Sequence, residues 1–407
     1  MSVIVEAEDA ALVIKVLQGG RVLGYVVIDS TINGHSYGGL RMLPDVDEAQ
    51  LRAAARTMTL KYSFVGRAHG GAKAGVRGDP QAPEALRMDR LGLFGQAIAP
   101  LLQQKIYVPY EDIGTDHRAI RHMLKRAGVR VKGHVLCGSS SGYYTAMSVK
   151  TCAAQAMRHL GKKLSESSVA IEGFGKVGAP LAGLMAETGA RVVAISTSRG
   201  AIYAPQGLDT RRLIKLAQQT GSRVVDEYEE AERIDQAALF ELPVDLLCPC
   251  ALGHSLNTGN ARQVVAGIIC PGANNPITPE AESILFQRGV LVVPDFVANC
   301  GGALGAPMHV ALVDPEGIIA FMDRHIGGRL AMILAEADQR GVMPKQVAEA
   351  MALRRLARLQ QTARHPAFSR RLFWAALALY GRGLLPGRVI KPLALGFFEK
   401  ALAEDAE

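Results

Sequence analysis

Three side chains in this sequence could do proton and anion chemistry together: Lys61 in MTLKYSFVG, Lys73 in AHGGAKAGV and Asp112 in YVPYEDIGT. One lysine ammonium can hold a carboxylate as a point charge, while a second lysine and an Asp move protons. Further along, GFGKVG occupies 173–178. Two lysines and a carboxylate upstream of such a glycine turn suggest hydride chemistry on a small anionic substrate. Each residue alone has a plainer reading, because most Lys and Asp side chains are solvated charges. Their combination with a cofactor signature decides for function. His69, beside the glycines before Lys73, is a further proton-carrier candidate, with a packing role the stronger reading.

The glycine signature has the context that a lone match lacks. The apolar run SVAIE precedes it and a helical pattern follows. Gly173 permits the tight turn, Gly175 lets the backbone approach a pyrophosphate, and Gly178 allows close helix–strand packing. Lys176 and Val177 complete the turn, and the helix N-terminus offers N–H donors to phosphate. The next strand, RVVAIS, ends in Ser196-Thr197-Ser198-Arg199, with no acid between Glu187 and Asp209. Lack of a carboxylate removes repulsion against a 2′-phosphate, and Arg199 could pair with one. The reading therefore leans to NADP over NAD, with the Thr197 hydroxyl beside it.

Positioning these groups takes two domains, which 407 residues can supply. Alternating apolar residues in VIVEAEDAALVIKVLQ and GRVLGYVVIDST predict early strands. Helical periodicity over DEAQLRAAARTMTLKYSFVG puts Lys61 on a helix, and the glycines after it put Lys73 on a loop or strand entrance. A helix is expected over 86–104 and a strand over 105–109, delivering Tyr110 and Asp112 to a strand end. GSSSG at 138–142 reads as a hinge. Strands at 168–172, 191–196, 245–248, 267–270 and 290–294 alternate with helices, as in a parallel doubly wound sheet. We expect an α/β protein with a substrate-binding and oligomerisation domain over 1–137 and a Rossmann-type dinucleotide domain over 138–330. A helical C-terminal segment over 331–407 would pack back on the first domain.

Composition closes off other classes. The longest apolar run near the C-terminus is far too short to span a bilayer, and the acidic start is unlike a signal peptide, so a cytoplasmic protein is expected. Six scattered cysteines show no zinc spacing, so no metal is expected and free thiols fit a reducing compartment. The net charge of +8 concentrates in 351–398, which holds nine Arg and Lys and no acid. Without a nucleic-acid motif this reads as a solvated basic face. Nucleic-acid and membrane partners are both disfavoured.

With these residues in view, the chain resembles the glutamate/leucine/phenylalanine/valine dehydrogenase superfamily. The resemblance runs from about 37 to 307 through GGLRM, MTLK, GGAKAG, EDIGT, GFGKVG, RGAIYAPQGLD, CPCALG, PGANNP and PDFVANCGG. CPCALG and GANN look closer to the leucine/phenylalanine branch. The resemblance implies NAD(P)-dependent interconversion of an amino acid with its 2-oxo acid and ammonia. It also implies a homo-oligomer and an active site between the domains.

By the same carry-over, Lys61 binds the substrate carboxylate, Lys73 is the catalytic lysine and Asp112 shuttles protons. Gly38 and Asn274 join the substrate set, and Ser141 and Asn299 the cofactor set. In the glutamate branch a lysine before GG and a later serine bind the side-chain carboxylate; here those positions are Tyr37 and Ala306. Tyr110, two places before the catalytic Asp, stands where the leucine branch has a small apolar residue. These departures point to a nonpolar or aromatic substrate. A catalytically silent regulatory paralogue and a 2-hydroxy acid dehydrogenase are the alternatives. The intact Lys61, Lys73 and Asp112 argue against the first, and the lack of a His/Arg motif against the second.

Overall fold

The computed structural model describes residues 1–8, 11–130, 141–251, 253–364, 368–380 and 383–403. It divides into two compact units. One is Met1–Ser139 with Ala352–Ala376 and Ala403–Glu407; the other is Ser140–Met351 with Leu377–Leu402. The C-terminal segment expected over 331–407 is thus shared between the units. Of the expected hinge, 138–140 lie outside the described residues.

Alternation of apolar residues builds six strands in the first unit: β1 (Ser2–Glu8), β2 (Ala11–Gln18), β3 (Arg21–Ile28), β4 (Ser36–Leu43), β5 (Gly70–Arg77) and β6 (Tyr107–Glu111). Their order is β1-β2-β3-β5-β4-β6. Pairing is antiparallel as far as β3–β5, and parallel between β5, β4 and β6. Three helices lie between these strands, α1 (Glu48–Phe64), α2 (Glu84–Ala97) and α3 (Ala99–Gln103), and a fourth, α4 (His117–Arg126), follows β6. Asp47 and Asp116 cap α1 and α4, accepting from the Gln50 and Ala119 amides at 2.9 and 2.8 Å. The single helix expected over 86–104 is two, because Pro100 cannot donate within a continuous helix and instead sits in the first turn of α3.

Period-two alternation sends β4 and β5 side chains to opposite faces. Leu40, Met42, Ala72, Ala74 and Val76 pack into a core with Leu91, Phe94, Ile120 and Met123 from α2 and α4. On the other face Val13, Tyr25 and Val27 pack against Val46, Leu51 and Ala55. Helix α1 comes down very closely there: a Cβ on Gly71 would lie 2.2 Å from the Thr59 nitrogen and 2.6 Å from the Ala55 oxygen. Thr59 also donates to Asp29 Oδ2 and lies 2.7 Å from Ser30 Oγ, which ties α1 to the end of β3. From the C-terminal region, Leu359 and Ala363 pack on Ile32, and Asn33 Nδ2 donates to the Ala363 carbonyl at 2.9 Å.

The second unit opens on α5 (Ser141–His159), followed by β7 (Ser168–Glu172), α6 (Gly178–Glu187), β8 (Arg191–Thr197), β9 (Gly200–Tyr203), α7 (Thr210–Thr220), α8 (Val224–Glu227) and β10 (Glu232–Ile234). It continues through β11 (Leu246–Pro249), β12 (Ile268–Ile269), α9 (Pro279–Gln287), β13 (Leu291–Val292), α10 (Asp295–Ala298) and α11 (Gly301–Val310). The remaining helices are α12 (Pro315–Met322), α13 (Gly328–Arg340), α14 (Pro344–Arg364), α15 (Phe368–Tyr380) and α16 (Gly387–Ala403). The sheet order is β10-β9-β8-β7-β11-β12-β13.

Five strands, in the order β8-β7-β11-β12-β13, form the expected parallel sheet. The expectation of a wholly parallel sheet is corrected at one edge, where β9 and β10 run antiparallel. Gly200, at φ +136°, turns β8 directly back into β9. The basic C-terminal face is also mixed: Arg354 and Arg358 are exposed, but Arg355 is buried and Lys391 pairs with Asp314.

Gly71→Ala should therefore push α1 off the sheet and lower the urea midpoint. Overpacking of this kind costs about 1–3 kcal/mol. An unchanged midpoint would mean that α1 can lift from β5 without loss.

Candidate functional site

Lys73 stands in the middle of β5, not on the loop or strand entrance that its flanking glycines suggest. Those glycines do not break the strand. Gly71 admits α1, and a Cβ on Gly75 would meet Val46 at 2.5 Å. Across the sheet, β6 ends at Glu111 and places Asp112 beside the lysine. The two meet at 2.8 Å from Lys73 Nζ to Asp112 Oδ2, with the lysine side chain 3% exposed and the Asp 14%. Gly39 of β4 makes the space, since a Cβ there would sit 2.9 Å from the Asp112 Cβ and 3.2 Å from Lys73 Nζ. Gly38, its neighbour, faces β5, where a Cβ would lie 1.6 Å from the Ala72 oxygen. The Tyr107 hydroxyl donates to the Gly38 carbonyl at 3.2 Å.

The turn after Asp112 is locked by its own residues. The Asp112 amide donates to Thr115 Oγ1 at 3.0 Å, and that hydroxyl donates to the Leu40 carbonyl at 2.6 Å. Gly114 takes φ +75° at a point where a Cβ would strike the Met42 oxygen at 2.2 Å. The sequence reading missed Arg41, although it lies in GGLRM on the same face of β4 as Gly39. Its Nε donates to Asp112 Oδ2 at 3.0 Å. Burial pushes the Lys73 ammonium below the ordinary lysine value; Asp112 opposes that shift and Arg41 adds to it. Burial alone would raise the Asp112 carboxyl, but Lys73 and Arg41 outweigh it and pull it down to about 2.

An aromatic wall starts from Tyr37, on the same face of β4 as Gly39 and Arg41. Tyr37 stacks on His69 with ring centroids 3.9 Å apart, and lies 6.3 Å from Tyr110 and 6.4 Å from Tyr62. Arg67 closes the group, with its guanidinium carbon 5.7 Å from the Tyr62 ring and Nη2 2.7 Å from His69 Nε2. His69 is thus a wall residue, and burial together with Arg67 pushes its imidazole well below the usual value. Lys61 is buried on α1, the helix over this face of the sheet. Tyr37, Gly38, Lys61, Lys73, Tyr110 and Asp112 all belong to the first unit, while Asn274 and Ala306 belong to the second.

In the second unit the three glycines of 173–178 meet three different constraints. Gly173 has φ +87°, and a Cβ there would lie 2.7 Å from Ala251. Gly178 starts α6 so close to β7 that a Cβ would meet the Gly173 oxygen at 1.9 Å. Gly175 faces open space, with nothing within 4 Å. An open glycine between two crowded ones, at a helix N-terminus, fits the approach of a pyrophosphate to the backbone.

Neighbouring elements converge on this turn. A Cβ on Gly142 would lie 2.3 Å from the Lys176 oxygen, which places Ser141 and the start of α5 beside it. One on Gly272 would lie 3.0 Å from Val177. Beyond Gly272, Asn299 Nδ2 donates to the Ala273 carbonyl at 2.7 Å and to Asn274 Oδ1 at 3.2 Å. Half-buried Ala306 lies on α11. Burial pushes the Glu172 carboxyl, at the end of β7, up to about 7, and Ser255 donates to its Oε2 at 2.9 Å.

At the end of β8 the arrangement is richer than the sequence reading. Thr197 Oγ1 donates to the Ser222 carbonyl at 2.8 Å. Arg199 pairs with Asp226 Oδ2, Arg233 of β10 pairs with Oδ1, and Arg233 Nη2 donates to the Arg199 carbonyl at 2.9 Å. Neither Asp226 nor Arg233 carried a signal in the sequence, because each lies in an element, α8 or β10, too short for periodicity to mark. Among the described residues, no group of three or more His, Cys, Asp or Glu could hold a metal.

Gly175→Ala should leave the unfolding midpoint unchanged, since its Cβ meets nothing in the protein. Dinucleotide affinity, read by quenching of intrinsic fluorescence or by calorimetry, should fall at least about tenfold through lost backbone approach. Unaltered affinity would place the phosphates elsewhere.

A family model described as glutamate/leucine/phenylalanine/valine dehydrogenase matches residues 138–362. A second, described as the Glu/Leu/Phe/Val dehydrogenase dimerisation domain, matches residues 11–128. A glutamate dehydrogenase of Thermotoga maritima is 37% identical over 293 residues, 69% of this chain and 70% of that protein. An NAD-specific glutamate dehydrogenase of Staphylococcus aureus is 33% identical over 291 residues, with the same shares. The solved structure of a hetero-hexameric glutamate dehydrogenase from Thermus thermophilus, in a Leu-bound form, is similar with a TM-score of 0.72 at 26% identity. That similarity covers 88% of this chain and 90% of the other.

Proposed function

Because the chain belongs to the glutamate/leucine/phenylalanine/valine dehydrogenase family and is an NAD(P)-dependent amino acid dehydrogenase, we propose that it oxidatively deaminates an L-amino acid with a nonpolar or aromatic side chain. The buried Lys73–Asp112 pair carries this reading. Lys61 holds the substrate α-carboxylate. Lys73, biased by burial towards its neutral amine, polarises the carbonyl and activates water as the imine is hydrolysed to the 2-oxo acid and ammonia. Asp112 exchanges the proton on the substrate nitrogen. The nicotinamide, when bound, supplies the hydride acceptor for the substrate Cα.

The aromatic wall supports the choice of side chain. Tyr37 brings an uncharged ring where the family resemblance implies a lysine in the glutamate branch. A second substrate carboxylate beside it would lose its water without gaining that cation. Assembly of several identical copies, through residues 11–128, is part of the proposal. So is a reducing, cytoplasmic setting, which suits the five described cysteines, all free. No described helix is long and apolar enough to cross a membrane.

For the cofactor we favour NADP. Arg199 and Arg233 bracket a single carboxylate, and both Asp226 oxygens are already engaged. The cluster keeps one net positive charge where a Rossmann fold meets the adenosine ribose, which suits a 2′-phosphate better than a diol.

Ammonium, NADPH or NADH and 2-oxo acids of aliphatic, aromatic and acidic type test the reaction. Turnover should be greatest with aliphatic or aromatic acids and disappear in Lys73→Ala; 2-oxoglutarate as the best substrate would reject the side-chain reading. Arg233→Ala should lower the ratio of NADPH to NADH kcat/KM about tenfold, as expected for one charge-assisted contact. Asp226→Asn should raise the ratio. A strong NADH preference in the unaltered enzyme, insensitive to both changes, would reject NADP.

A further inference from the structure

Asp112 is held by one oxygen only. Lys73 Nζ and Arg41 Nε both lie on Oδ2, at 2.8 and 3.0 Å, and among the described residues no donor is recorded on Oδ1. Arg41 reaches this atom because β4 alternates. Leu40 and Met42 enter the core on one face, while Gly39 and Arg41 share the other. Gly39 has no side chain to stand between them.

Charge explains why a second cation is needed. A buried carboxylate facing a lone lysine would hold that lysine as an ammonium, because either charge unpaired in the interior is costly. An ammonium cannot accept a proton from water. A guanidinium remains charged throughout the working range, so it can satisfy the carboxylate by itself. The cluster is then neutral when Lys73 is an amine, and its burial favours that state.

We propose that Arg41 is a positioning residue, which neutralises Asp112 through Oδ2 so that Lys73 works as an amine and Oδ1 exchanges the proton with the substrate nitrogen. The inference rests on the amino acid dehydrogenase reading of the same site. As the substrate amine gives up its proton, the new O–H bond forms at Oδ1 and the broken N–H bond leaves its electron pair on nitrogen. Arg41 touches neither substrate nor cofactor in this scheme. Among the described residues, the charged and titratable groups on this face of the sheet include Tyr37 of β4, Tyr62 of α1, Arg67 and His69 before β5, and Tyr110 of β6. Arg41 comes from β4, Asp112 and the Asp112-facing Tyr107 come from β6 and its end, and β3 brings only Val27 in register. Lys61 is the buried cation of α1.

Trace competitive acetylation with acetic anhydride, read peptide by peptide by mass spectrometry across a pH series, gives the midpoint at which Lys73 becomes nucleophilic. It needs no turnover, so its outcome is independent of the 2-oxo acid panel. In the unaltered enzyme the midpoint should lie below that of exposed lysines. Arg41→Gln should raise it by about one unit or more, equivalent to a tenfold smaller amine fraction at a fixed lower pH. Arg41→Lys keeps a cation and should leave the midpoint within about half a unit of the unaltered enzyme.

In turnover, activity rises with pH as Lys73 loses its proton, so the acid limb of kcat should move upward in Arg41→Gln and much less in Arg41→Lys. A purely structural arginine would lower stability and rate at every pH with both midpoints fixed. An unmoved Lys73 midpoint in Arg41→Gln overturns the proposal. If that variant does not fold, a full-unit rise in Arg41→Lys overturns it equally, because the charge would then be irrelevant.

Discussion

A lysine sealed from water can act as a base only if its surroundings do not demand its positive charge. On the proposed reading that condition is met at one oxygen, Asp112 Oδ2, which Lys73 and Arg41 approach together. Strand order follows from it: β5 carries the lysine, β4 beside it the arginine, and β6 beyond β4 ends just before the carboxylate. This arrangement brings all three groups to one atom while keeping Leu40, Met42, Ala72 and Ala74 in a common core. The EDIGT turn then fixes the carboxylate through Thr115 and the left-handed Gly114.

Absence of side chains does as much positioning as their presence. Gly71 lets α1 reach the sheet, Gly39 leaves room for the ion pair, and Gly178 lets α6 start against β7. Each of these approaches is closer than any Cβ contact permits. Gly175 differs, since its empty flank faces outward and is of use only to something that binds there. The two kinds of glycine share one motif and are told apart by their surroundings.

Much of this was legible in the sequence, and the failures have physical causes. Lys61 on a helix, Asp112 after a strand and the turn at 173–178 follow from periodicity and local chemistry. Lys73 was expected at a strand entrance because glycine usually interrupts regular structure; here the glycines serve tertiary contact inside a continuous strand, which local pattern cannot reveal. The β9–β10 edge was missed because strands of four and three residues carry too little alternation to detect. Arg41 stood in a motif that was noticed, but its role depends on Asp112, 71 positions away. The same holds for Arg199, Asp226 and Arg233, which only the folded edge assembles.

The two faces of β4 bind the chemistry to the folding. Were this strand to slip by one residue against β5, Arg41 and Tyr37 would turn into the hydrocarbon core, and Leu40 and Met42 would emerge towards Lys73. The same misalignment would unpair a guanidinium, bury a phenol and expose two large apolar groups. Mistakes in folding at this strand are therefore also the most costly ones, so the population of chains that are compact but chemically misassembled is kept small without any separate proofreading.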